Sequence, residues 1–271
     1  MESAQNRMDR DLLKEVVRKA GALAKTHYDL NSAEIRVKSN NSPVTDADIA
    51  VNTFLLTELM RARPDYGWLS EETKDDGSRR EKRRVFVVDP IDGTRAFIKR
   101  RPHFVVSVAV IENGRSVAGA LYNPLTEEAF DAHLGGGAAL NGKSISVSDC
   151  AQIEDCRMIG YDFKFKAQKI WPAMTYEARN SMAYRIALVA CGQADATIAF
   201  TPKCDWDLAA ASLIASEAGA TITDRDGNTL EFDRDGVVKS GVICSGPRLH
   251  PLLLDTIRKI PRKVTPPSPR D

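Results

Sequence analysis

The reading of this chain turns on Val85-Phe86-Val87-Val88-Asp89-Pro90-Ile91-Asp92-Gly93-Thr94. The apolar run Val85 to Val88 predicts a buried strand. It delivers two acids, Asp89 and Asp92, and Pro90 and Gly93 impose a turn around them. Thr94-Arg95-Ala96-Phe97-Ile98 can then open a helix. A strand that ends in acids beside a helix N-terminus can hold hard cations against a phosphate. The carboxylates suit Mg²⁺, and the exposed N–H groups and dipole of the helix suit the anion. Taken alone, the two acids read equally well as turn or N-cap residues.

Other acids stand at element ends. Glu71 follows the short strand Gly67-Trp68-Leu69-Ser70, and Asp205 and Asp207 flank Trp206 where a helix opens. Asp46 and Asp48 follow Pro43-Val44-Thr45 at another helix start. Each has the same capping alternative.

Outward from these motifs, apolar residues at helical spacing predict helices over 9–29 and 45–61. Strands are expected at 34–38, 67–70, 104–111, 116–122 and 128–132, with Asn113-Gly114 as a hairpin turn. Lys74 to Arg84 is charged, contains Gly77 and reads as a mobile loop. Gly135-Gly136-Gly137 and Asn141-Gly142 read as turns, without the strand-then-helix context of a nucleotide-binding loop. Beyond residue 149 strands and helices alternate. Helices are expected at 182–192, 206–218 and 247–260, and strands at 194–200, 221–223 and 237–244. The Pro- and charge-rich tail, 261–271, reads as disordered.

The bulk numbers exclude several classes. The chain has 271 residues, 43% hydrophobic and 28% charged, with net charge +1. That is ordinary globular composition with no global nucleic-acid signature. No apolar run approaches the roughly 20 residues that span a membrane, and the N-terminus lacks a signal-peptide core, so a cytoplasmic setting is expected. The 5 cysteines are scattered without a CxxC, and no two of the 4 histidines are close in sequence. Disulfides, thiolate zinc and a His-based site therefore have little local support.

Taken together, the motifs resemble the inositol monophosphatase family of Mg²⁺-dependent, lithium-sensitive phosphatases. Its first signature resembles Trp68 to Glu72 followed by Val87 to Thr94. Its second resembles Asp205-Trp206-Asp207-Leu208-Ala209-Ala210-Ala211, continuing to Glu217-Ala218-Gly219-Ala220. Pro43 to Asp48 matches the family's threonine-and-acid segment, and Gly135 to Gly142 its glycine-rich hairpin. The likeness runs in order over roughly residues 10 to 260.

The resemblance implies an α/β (α+β) layered αβαβα sandwich. Its N-terminal lobe, 1–150, would carry the metal motif, and its C-terminal lobe, 151–260, would face substrate. Glu71, Asp89 and the Ile91 carbonyl would hold one Mg²⁺. Asp89, Asp92 and Asp207 would hold a second, and a weaker third would sit near Glu71. The Gly93 and Thr94 amides would receive phosphate. Thr94 with Asp48 would orient the attacking water, and Glu71 would help to accept its proton.

Asp92, Asp207, Glu217 and Arg185 are the candidate substrate contacts. Arg185 departs from the inositol-type pattern and stands where related nucleotidases carry a basic residue. The alternative is a structural Arg on a helix face. The expected substrate is a small phosphorylated polyol, sugar or nucleotide. Inositol 1-phosphate comes first and a 3'(2'),5'-bisphosphate second, ahead of histidinol phosphate and fructose 1,6-bisphosphate. A homodimer is expected, with neither membrane nor nucleic acid as partner. The alternative of another class is an RNA-processing or transcription partner using Arg79 to Arg84 and the basic residues near the C-terminus. The loop 74–84, lying between metal ligands, is a candidate lid.

Overall fold

The computed structural model describes residues 2–30, 34–37, 43–167, 169–234 and 236–260. The predicted disordered tail, 261–271, lies outside the described residues.

The chain opens with helix α1 (Glu2–Leu30), longer than its apolar spacing predicts. A small antiparallel ribbon follows, β1 (Ile35–Val37) on β2 (Pro43–Thr45), and leads into α2 (Asp46–Ala62). Thr45 is the N-cap of α2. Its hydroxyl accepts from the Asp48 amide while the Asp48 carboxylate accepts from the Thr45 amide. This reciprocal capping satisfies two otherwise orphaned donors and fixes the rotamer of Asp48.

Next comes a 7-stranded sheet: β3 (Gly67–Ser70), β4 (Arg84–Asp92), β5 (Val105–Glu112), β6 (Arg115–Asn123), β7 (Glu128–His133), β8 (Ala138–Leu140) and β9 (Lys143–Ser144), in that order. Only β3 and β4 pair in parallel. The short helix α3 (Thr94–Ile98) leaves the end of β4. The pleat sends alternate residues of β4 to opposite faces. Phe86 and Val88 pack with Leu13, Val17, Val51 and Leu55 of α1 and α2. Val85 and Val87 face the other core, with Ile186, Leu208 and Ile214.

The second half builds β10 (Arg157–Ile159), α4 (Asp162–Lys166), β11 (Thr175–Glu177), α5 (Met182–Ala190), β12 (Ala196–Ala199), β13 (Lys203–Cys204), α6 (Asp205–Glu217), β14 (Thr221–Thr223), β15 (Val238–Lys239), β16 (Val242–Ser245) and α7 (His250–Arg258). Its 5-stranded sheet has the order β11-β10-β12-β16-β14. Every residue of α5 is buried, because the helix lies between two sheets. Outside the second sheet, Leu249, Leu253 and Ile257 pack on Met158, Ile198 and Ile243. The layers are therefore α1 and α2, the large sheet, α5 and α6, the small sheet, and α7: an αβαβα sandwich. Gly119 permits the tight middle contact, since a Cβ there would stand 3.1 Å from Ala210 Cα.

Three expectations are corrected. The strand expected at 237–244 is two strands in different sheets, broken where Gly241 takes φ 132°. β10, α4 and β11 were not foreseen, since each is short and lacks a sustained period. The loop 74–84 is not a free lid. It contains a 3₁₀ turn, Ser78–Glu81, and Arg79 is 2% exposed, paired with Asp75 and with Asp233 of a distant loop. Arg84 is likewise buried, binding Asp9, Asn6 and Glu112. The basic run 79–84 is thus partly internal and not a continuous cationic patch.

Candidate active site

β4 does not stop at Asp89. The strand continues to Asp92 through a register irregularity between the two acids. Pro90 cannot donate to the ladder, and the bulge turns both carboxylates toward one side. Gly93 then takes φ 106°, and a Cβ there would stand 2.7 Å from the His103 carbonyl oxygen. Only glycine fits this corner, which places Thr94 at the start of α3 beside the acids.

Carboxylate oxygens of Asp89, Asp92 and Asp207 lie within 4.8 Å of one another. Asp207 arrives from the first turn of α6, where it also accepts a hydrogen bond from the Cys204 amide at 2.7 Å. It is both a cap and a member of the cluster. Glu71, Asp89, Ile91, Asp92, Gly93, Thr94 and Asp207 all line one cavity of about 510 Å³. Asp48 stands behind Thr94, with its Oδ1 3.2 Å from the Thr94 hydroxyl and its Oδ2 bonded to Thr45.

The electrostatics follow from burial. Burial raises Asp89 well above the ordinary carboxylate value, and repulsion from Glu71, Asp92 and Asp207 adds to it. Asp92 rises to about 7, through burial and then through Asp207, although Ser181 and the Ala183 amide hydrogen-bond to it. Asp48 rises to about 6, mainly by burial, with Thr45 opposing and Glu71 reinforcing. Crowded buried carboxylates of this kind need either protons or a cation. An all-oxygen set at this spacing fits a hard divalent ion.

The model of the inositol monophosphatase family matches residues 7–262. The chain belongs to the inositol monophosphatase family. An inositol monophosphatase of Dictyostelium discoideum is 32% identical over 251 residues, covering 87% of this chain and 89% of that one. The Nus factor SuhB of Escherichia coli strain K12 is 31% identical over 259 residues, 89% of this chain and 92% of that one. The crystal structure of the extragenic suppressor protein suhB from Bartonella henselae superposes with TM-score 0.79 at 28% identity, covering 92% of this chain and 98% of that one. The family's fold is the layered α/β fold seen here, and the family is one of metal-dependent phosphatases. Among the described residues, no helix is long and apolar enough to cross a membrane.

Two candidates fall outside the cluster. Glu217 does not line the cavity; its carboxylate accepts from the Gly135 and Gly137 amides, at 2.8 Å each. The reason is geometric. Asp207 lies in the first turn of α6 and Glu217 closes it, about 15 Å away along the axis at 1.5 Å per residue. Asp205, two residues before Asp207, points elsewhere and pairs with Lys239 at 2.7 Å. Arg185 does line the cavity, and it is buried.

Ser181 belongs, with Arg185, to the segment 181–185 that the resemblance places at the pocket; the other neighbours were not foreseen. Ser181 caps α5 from a strained φ of 56° and donates to Asp92 at 2.7 Å. Tyr161, Phe163, Arg179 and Lys203 complete the cavity walls. They come from three separate segments, around 161–163, 179 and 203, so no local spacing could have grouped them.

Proposed function

We propose that this protein is a Mg²⁺-dependent phosphatase that hydrolyses a small phosphate monoester by direct attack of water. The observation that carries the reading is the convergence of Asp89, Asp92 and Asp207 in a cavity that also holds Glu71 and the start of α3. In this reading Glu71, Asp89 and the Ile91 carbonyl would hold one ion, Asp89, Asp92 and Asp207 a second, and a third would bind more weakly near Glu71. Such ions would supply charge neutralisation of the ester oxygens, a more acidic water and stabilisation of the leaving alkoxide. The Gly93 and Thr94 amides orient the phosphate at the helix start.

Thr94 donates its hydroxyl proton toward Asp48, which leaves an oxygen lone pair to accept a proton from the attacking water. Asp48 is held in place for this role by its bonds to Thr45. Glu71 is the second proton acceptor. No cysteine or serine nucleophile is required.

Inositol 1-phosphate is the first substrate to test, because the Dictyostelium relative is named an inositol monophosphatase. One observation favours a second reading, a 3'(2'),5'-bisphosphate nucleotidase. Arg185 is a buried cation on the cavity wall, and among the described residues it bonds to the Ile198 carbonyl and the Met182 sulfur while its Nε finds no partner. A second phosphate would satisfy it. Lithium inhibition, a homodimer and a cytoplasmic setting belong to the same proposal. A transcription role, suggested by relatives named Nus factor SuhB, loses support from the burial of Arg79 and Arg84. Initial rates of phosphate release from inositol 1-phosphate against Mg²⁺ concentration test the reading. Saturating dependence on Mg²⁺ with loss on adding lithium is expected; release indifferent to Mg²⁺ contradicts it.

A further inference from the structure

The first turn of α6 carries two acids that look in opposite directions. At 3.6 residues per turn, Asp205 and Asp207 stand about 200° apart around the helix. Asp207 lines the cavity and Asp205 does not. Asp205 is fully buried. One of its oxygens lies 2.7 Å from the Lys239 ammonium, and the other accepts from the Asp233 amide at 2.8 Å. Its own amide donates to the Val237 carbonyl at 2.8 Å.

These bonds close a clasp around the start of α6. β15, which carries Lys239, pairs with β13 in the register Lys203 to Lys239 and Cys204 to Val238. β13 runs directly into α6, and the Cys204 amide donates to Asp207. Asp233 holds a left-handed backbone, φ 54°, and its carboxylate pairs with Arg79. Arg79 is buried and also binds Asp75. A Cβ on Gly67, the first residue of β3, would stand 2.8 Å from Arg79 Cβ. Arg79 therefore packs against the strand that leads to Glu71. The contacts run from that strand to the turn that holds Asp207, yet none of Arg79, Asp205, Asp233 and Lys239 lines the cavity.

A buried ion pair returns little net stability, because desolvation offsets its attraction and apolar residues often serve as well. Stability alone does not account for a carboxylate with no exposure at this place. Directed bonds to three fixed partners do what apolar packing does not: they set the rotation and axial position of the helix start. We propose that Asp205 is a positioning residue, clasped by Lys239 and the Asp233 amide so that Asp207 can share a divalent cation with Asp89 and Asp92. The proposal rests on the cation site of the phosphatase reading and deepens it.

Mn²⁺ has the same preference for oxygen ligands as Mg²⁺, and its binding to the full chain, with no ester present, is read by electron paramagnetic resonance. Asp205→Ala should weaken it about tenfold, the lower end of what loss of a partner behind a metal ligand costs. The Mg²⁺ concentration that gives half-maximal phosphate release should rise by the same factor. Asp195 supplies the comparison, being buried, paired with Arg157 at 2.7 Å and absent from the cavity lining. Asp195→Ala should lower the melting temperature and leave Mn²⁺ affinity at the wild-type value. If Asp205→Ala does not fold, Asp205→Asn, which keeps an oxygen for the Asp233 amide but drops the charge facing Lys239, should still weaken Mn²⁺ binding.

Unchanged Mn²⁺ affinity in the Asp205 variants, or an equal loss in Asp195→Ala, would overturn the proposal. Mn²⁺ binding that weakens in the Asp205 variants, with no ester hydrolysed by the wild type, would sustain it and sink the phosphatase reading. Mg²⁺-dependent release with Mn²⁺ affinity unchanged in those variants would do the reverse.

Discussion

The Thr94 hydroxyl lies 3.2 Å from Asp48 Oδ1, although the two residues come from elements 46 positions apart. Asp48 is locked by the α2 capping box, and Thr94 is placed by the corner at Gly93. A cap that any helix could use here also holds one end of a proton path. Thr94→Ala should therefore lower kcat roughly hundredfold, the scale of one positioned proton acceptor. KM and melting temperature should move little. Steady-state kinetics beside a thermal melt check this, and a fall in stability that matched the fall in rate would assign Thr94 a structural role.

Metal removal should destabilise the protein in a pH-dependent way. Asp48 and Asp92 have folded values raised to about 6 and about 7, mainly by burial. A raised carboxylate binds protons more tightly folded than unfolded, so the metal-free form is most stable at low pH. It loses that stability as pH rises from about 4 through the folded values. A divalent ion replaces the protons. The gap in melting temperature between Mg²⁺-loaded and EDTA-treated protein should widen from pH 5 to pH 8. A constant gap would argue against a cation among these acids.

The opposite sign applies at Glu112. Burial alone would raise it, but hydrogen bonds from Arg84 and Arg83 win, and it is held below the ordinary value. Its contribution is complete above the unfolded value, about 4.3, and is lost as pH falls through the folded one. Glu112→Gln should lower the melting temperature at pH 7 and reduce its fall between pH 5 and pH 3. Melts across that range measure both effects.

Arg79 ties the loop between Glu71 and β4 to Asp233. Arg79→Ala should cost roughly 2–3 kcal/mol, the scale of hydrogen bonds to charged groups. It should also speed hydrogen exchange over residues 75–82. In the wild type, exchange there should be the same with and without Mg²⁺ and phosphate. A large ligand-dependent change would restore the lid.

The site's acids were legible because the chain concentrates them at element ends. Asp89 and Asp92 sit just before the start of α3 at Thr94, and the strand before them is continuous and apolar. The order of layers was legible only through resemblance, since periodicity does not say which helix covers which sheet. Glu217 was a candidate through resemblance alone, with a surface residue near the helix end as the other reading; its carboxylate binds the Gly135 and Gly137 amides, away from the cavity lining. Arg185 could not be resolved between a structural helix face and a cavity wall, because α5 is buried on all sides. Tyr161, Phe163 and Lys203 were silent, since tertiary folding alone brings them to Arg185.

The central claim is that Asp89, Asp92 and Asp207 make a cation site on which phosphate release depends. The most direct test is phosphate release from inositol 1-phosphate and adenosine 3',5'-bisphosphate by wild type and Asp92→Asn, each with Mg²⁺ or EDTA. Wild type should release phosphate from at least one ester with Mg²⁺ only, and Asp92→Asn should fall at least about a hundredfold, the scale of a lost electrostatic stabiliser. Equal rates for wild type and Asp92→Asn, or release that persists in EDTA, would contradict the account.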